Sequence, residues 1–198
     1  MALHSLFGPS KDEIWQQIAK DIDGEFIDRG FWKTNVLRYS HKEWELLLDT
    51  IHRDKMTFTR LRVPFLNKDN LYFKIYREGF FSDIGKFFGM QDIEIGDPRF
   101  DDNYIIQSNN NNKVRKLLKE PKLKMLFEMV PKIHVSIRKD EGWFGRKYPQ
   151  GVHVLYFEQT GILKDKETLK LLFRLFTEIL DQLVHIDSAY ENDPKMKL

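Results

Sequence analysis

Residues 165–186 carry Leu169, Leu172, Phe173, Phe176, Ile179, Leu180 and Leu183 at three- and four-residue intervals, which predicts one long amphipathic helix. A stripe that wide must be buried against a broad apolar surface, and the upstream sequence supplies one. Between 36 and 77 the hydrophobic period changes from helical to alternating. Trp44, Leu46 and Leu48 alternate with Glu45, Leu47 and Asp49, and Leu71, Phe73 and Ile75 alternate with Tyr72, Lys74 and Tyr76. The pattern predicts strands at 36–41, 43–52, 56–63 and 70–77, separated by turn signals at Arg53-Asp54-Lys55 and Asn67-Lys68-Asp69-Asn70. Short connections favour antiparallel neighbours, so the expected arrangement is a meander.

The remaining segments complete the pattern. Ser10 followed by Glu13 is a capping box, and it opens a helix with Ile14, Trp15, Ile18 and Ile22 on one face. Residues 25–34 read either way, with a turn at Gly30. A fifth strand is expected at 104–108, then a helix at 112–129 that Pro121 should break or kink. A hairpin follows, from 132–138 and 151–158. The fold class is therefore α+β: an antiparallel β-sheet, a meander plus a later hairpin, covered on one face by helices and closed by a long C-terminal helix. One domain spans 1–187, and 188–198 is read as a disordered tail.

Sixteen Phe, seven Tyr and four Trp in 198 residues can build a core, which sets the chain apart from disordered sequences. The absence of cysteine excludes disulfides, thiolate metal sites and cysteine nucleophiles. A formal net charge of +2 gives no global field toward nucleic acid or anionic lipid. No stretch approaches the roughly 18–20 apolar residues of a membrane-spanning helix, and MALHSLFGPSKDE lacks the basic start of a secretory signal. These features read as a soluble, cytoplasmic chain.

The stretch GDPRFDDNYIIQSNNNNKVRKLL, 96–118, combines a turn at Asp97-Pro98, a strand and an asparagine-rich helix cap. Asp101 and Asp102 are placed to accept bonds from nearby backbone donors. The wider block 85–118 is similar to one in a bacterial protein family of uncharacterised function. It matches through Phe88-Gly89, Asp92-Ile93, Gly96-Asp97, Phe100-Asp101, Tyr104-Ile105-Ile106 and Val114 to Leu118. Longer members of that family carry membrane segments ahead of a soluble domain. The resemblance brings no activity and no functional residue with it.

Candidate sites were weighed on their chemistry. Asp92, Glu94, Asp97, Asp101 and Asp102 offer oxygens but lack calcium-loop spacing, so a solvated turn is expected and no metal or cofactor. No nucleophile elbow, P-loop or dinucleotide fingerprint occurs, which lowers the expectation of an enzyme. His134 and His153 could face each other across the hairpin and, with Glu158, form a metal or acid–base site. That is the alternative reading: a small-molecule or metal-dependent enzyme. Phe80, Phe81, Phe87 and Phe88 read as core. Tyr72, Lys74 and Tyr76 beside Arg60 and Arg62 could form a platform, or the arginines could pair with Glu43, Glu45 or Asp49 across strands.

The leading candidate is the loop 138–148, where Trp143, Phe144 and Tyr148 are interleaved with Arg146 and Lys147. Large aromatics between glycines at a hairpin tip call for a partner. Lys113 and Lys116, in a basic helix, extend the candidate surface. The expected function is a non-catalytic domain that binds another macromolecule or a second copy of itself. A protein partner is favoured over nucleic acid.

Overall fold

The computed structural model describes residues 8–30, 32–77, 91–140, 148–196 and 198. Helix α1 (Lys11–Asp21) precedes strands β1 (Glu25–Ile27), β2 (Val36–His41), β3 (Trp44–Arg53), β4 (Met56–Asn67), β5 (Phe73–Arg77) and β6 (Gln91–Asp92). Then come α2 (Pro98–Asp101), β7 (Tyr104–Ser108), α3 (Asn111–Leu117), α4 (Pro121–Met129), β8 (His134–Arg138), β9 (Val152–Thr160), α5 (Lys166–His185) and β10 (Ala189–Tyr190). The strands form one ten-stranded sheet in the order β1-β2-β3-β4-β9-β8-β5-β7-β6, with β10 added to β4. Every pairing between these strands is antiparallel.

The α+β class, the helix-covered sheet and the long C-terminal helix all match the sequence reading. The expected stripe of α5 is buried together with Trp44, Leu46, Leu48, Leu61, Val63, Phe65, Phe73, Ile75, Leu155 and Phe157 from the sheet. Each helix starts where the sequence supplies a cap. Ser10 and Glu13 close the capping box of α1, and Asp165 accepts the Thr168 N–H at 2.8 Å to open α5. Trp15, fully buried, ties α1 to the approach of α5 by donating its indole N–H to the Leu163 carbonyl at 3.0 Å. Pro121 does break the expected 112–129 helix: it begins α4, where its missing N–H costs nothing, behind the N-cap Glu120.

Two expectations are corrected. The meander runs from β1 through β4, but the strand expected at 70–77 is not the neighbour of β4. It forms β5 on the far side of the β8–β9 hairpin, which is inserted between them. The reason is local. The Asn67 side chain donates to the Leu71 carbonyl at 2.9 Å and accepts its N–H at 3.1 Å, and Asn70 adopts φ 54°. This holds 68–72 as a loop that leaves the β4 edge, so β9 occupies it over a long register from Thr59↔Gln159 to Leu66↔Val152.

The tail is ordered where a disordered segment was expected. β4 outruns its pairing with β3, and β10 fills the vacated edge through Ala189↔Asn67 and Tyr190↔Leu66. Ser188 and Pro194 are buried as well. The Ser188 hydroxyl donates to Asp69 at 3.1 Å, and its carbonyl accepts from Lys68 N–H at 2.9 Å.

Candidate functional site

Side chains alternate between the two faces of a strand, and the register assembles a polar row on the face turned away from the helices. Leu47 lies opposite Arg62, Arg62 opposite Tyr156, Tyr156 opposite Ser136, Ser136 opposite Lys74, and Lys74 opposite Gln107. One row thus crosses β3, β4, β9, β8, β5 and β7. These residues are polar for the most part, yet Arg62, Tyr156, Ser136 and Lys74 are all buried.

At one end the charges are paired. Asp49, 3% exposed, accepts from Arg60 Nε at 2.6 Å and Nη2 at 3.0 Å, and from Arg62 Nη2 at 2.8 Å. This is the cross-strand pairing that competes with the platform reading of Arg60 and Arg62. In the middle, Glu158 accepts from Arg53 at 2.6 Å and from the Tyr156 hydroxyl. Burial, foremost, pushes the Tyr156 phenol up to about 12. The Arg138 guanidinium stacks over the Tyr156 ring at 3.6 Å and reaches Ser136 Oγ through Nε at 3.2 Å.

At the other end, cations lie close together. Lys74 Nζ sits 5.2 Å from the Tyr76 ring centre. Burial and then the Arg138 charge pull its ammonium down to about 8. His134 packs edge-on against Tyr76 with ring centres 6.2 Å apart. Burial, followed by the charges of Arg138 and Lys74, lowers its imidazole to about 3, so it is neutral at pH 7. Lys74 belongs to the platform suggested by the sequence, but β8 and β9 separate it from Arg60 and Arg62. The grouping of Lys74 with His134, Ser136 and Arg138 was missed. Its only trace in the sequence is a lysine in phase with Tyr72 and Tyr76, a pattern shared by any solvated strand.

His134 and His153 do not meet. Ser136 is level with Tyr156, so alternation places His134 with Ser136 and Arg138, and His153 with Leu155 and Phe157 on the opposite face. His153 instead faces Phe65 across the strands, and its Nε2 is 2.6 Å from the Tyr72 hydroxyl. Burial is the main influence lowering its pKa, against a raising contribution from the Gly151 backbone. Tyr72→Phe is expected to cost about 1–2 kcal/mol by leaving that ring nitrogen without its partner. Urea denaturation of the two proteins checks it, and equal midpoints would show the bond to be inconsequential.

The remaining candidates separate. Trp143, Phe144, Arg146 and Lys147, like Phe80, Phe81, Phe87 and Phe88, lie outside the described residues. Tyr148 is half-buried where the loop returns to β9. Lys113 is occupied within the fold: its ammonium donates to the Ile186 and Asp187 carbonyls at the end of α5 and pairs with Asp69 at 3.2 Å. Lys116 is exposed on α3. Elsewhere in that basic run, Arg115 donates to the Glu94 carbonyl, Lys122 pairs with Glu178, and Lys124 with Asp97.

The acids of the opening block hold their own loop. Asp101 accepts the N–H groups of Ile95, Gly96 and Asp97, while Asp97 caps α2 and Asp92 accepts from Gln107. Asn110 caps α3, as an asparagine junction should. Among the described residues, no group of three or more His, Asp and Glu side chains is placed to hold a metal.

Fold and site define an antiparallel α+β domain whose second sheet face carries buried, partly paired charge. No family model matches the chain, and no curated protein matches it. Among solved structures, it resembles the crystal structure of the mycobacterial trehalose monomycolate transport factor A, TtfA, with a TM-score of 0.56. The match covers 87% of this chain and 94% of that one at 9% identity, so the likeness is one of fold. Among the described residues, no helix is long and apolar enough to cross a membrane.

Proposed function

We propose that this is a non-catalytic, cytoplasmic domain that binds a protein partner or a second copy of itself through the 138–148 loop. The observation that carries the reading is the anchoring of that loop. Its first residue, Arg138, is stacked on Tyr156 and bonded to Ser136, which are buried in the sheet. A loop rooted in a rigid sheet presents its aromatic residues at low entropic cost, which favours binding. The enzyme alternative loses its best support, because the two histidines it needs project to opposite faces. A transport factor of the same fold is compatible with an accessory role. Membership of the family suggested by the 85–118 block belongs to this reading too.

The test compares the wild type with Trp143→Ala/Phe144→Ala by sedimentation for self-association and by quantitative co-purification for a partner. Circular dichroism should be unchanged, and association should weaken by tenfold or more, as for loss of two aromatic anchors. Unchanged self-association together with an unchanged partner profile would reject the loop as the interface.

A further inference from the structure

We propose that Lys74, His134, Ser136 and Arg138 form a binding site for a phosphate-type oxyanion. The four residues come from adjacent strands. Lys74 and Ser136 are direct cross-strand partners, His134 lies opposite Tyr76 one step along the same face, and Arg138 Nε reaches Ser136 Oγ at 3.2 Å. An ammonium, a guanidinium fork, a hydroxyl and an imidazole together supply the donors that phosphoryl oxygens accept. The site does not depend on partner binding by the loop.

Three observations point to an anion. First, His134 is 7% exposed and its Nε2 has no hydrogen-bond partner. Native structures rarely leave such an atom unmatched, because burying it unpaired is costly. Secondly, Lys74 is 4% exposed while its ammonium is pulled down by burial and by Arg138, so positive charge is held together in a desolvated place. An oxyanion would offset both costs. Thirdly, the nearest carboxylates are engaged elsewhere: Glu158 with Arg53 and Tyr156, and Asp92 with Gln107.

The test titrates the full ¹⁵N-labelled chain with inorganic phosphate at pH 7, against chloride at equal ionic strength. Saturable amide shifts should centre on 74, 136 and 138, and Lys74→Met and Arg138→Met should each weaken binding at least tenfold. Should Lys74→Met not fold, Arg138→Met decides the matter, since that side chain is only half-buried. Shifts that do not saturate, or affinity unchanged in Arg138→Met, would overturn the site. A second arm uses glycerol 3-phosphate and a short-chain phosphatidic acid. Tighter binding of the lipid than of inorganic phosphate assigns the anion to a lipid headgroup, and equal or weaker binding assigns it to a small soluble phosphate.

Discussion

His134→Gln is expected to flatten the acid limb of the stability curve. The imidazole titrates near 6.5 in the unfolded chain and at about 3 in the folded one, chiefly because it is buried. Above 6.5 both states are neutral there and the group makes no pH-dependent contribution. Between 6.5 and 3 the unfolded state binds a proton that the folded state refuses, so stability falls with pH. The slope approaches 1.4 kcal/mol per pH unit, and the loss at pH 4.5 is on the order of 2–3 kcal/mol. Denaturant midpoints from pH 7 to pH 4 measure it. Wild type and variant should converge as the pH falls, and parallel curves would show that His134 protonates freely in the fold.

Asp49→Ala should be the most damaging single substitution on the polar face, by about 3–5 kcal/mol. It strips the carboxylate from two arginines, of which Arg62 is 6% exposed and Arg60 only partly accessible. The penalty comes chiefly from cations left in a desolvated place and much less from the attraction lost. For the same reason it should respond little to salt, unlike the exposed Arg38–Glu25 pair. Adding Arg62→Met to Asp49→Ala should recover part of the loss, so the two effects will not add. Urea unfolding of the singles and the double gives the coupling. Strict additivity would mean that Asp49 acts on Arg60 alone.

Much of the local structure could be read from the residues. Strand 104–108, helix 165–186, the capping box at Ser10 and the break at Pro121 each follow from short-range chemistry: a period, a cap or a missing donor. The 96–118 stretch likewise proved to be a loop, a strand and a helix cap whose acids and amides bond to their own backbone. The loop 138–148 stood out by composition, but composition could not say that Arg138 is rooted on Tyr156.

What the sequence determined by itself was the set of elements and their apolar faces, because period and capping act over a few residues. Only the tertiary structure decided which strands are neighbours. Nothing in 70–77 announces that a hairpin from the far end of the chain will lie between it and β4, since that choice rests on Asn67 closing a loop and on the long β4 edge accepting β9. The same long-range register sent His134 and His153 to opposite faces, paired Asp49 with two arginines, and set Lys74 beside Ser136 and Arg138. Sequence separation carries no information about such contacts, because they form only when strands remote in the chain settle their alignment around a shared core.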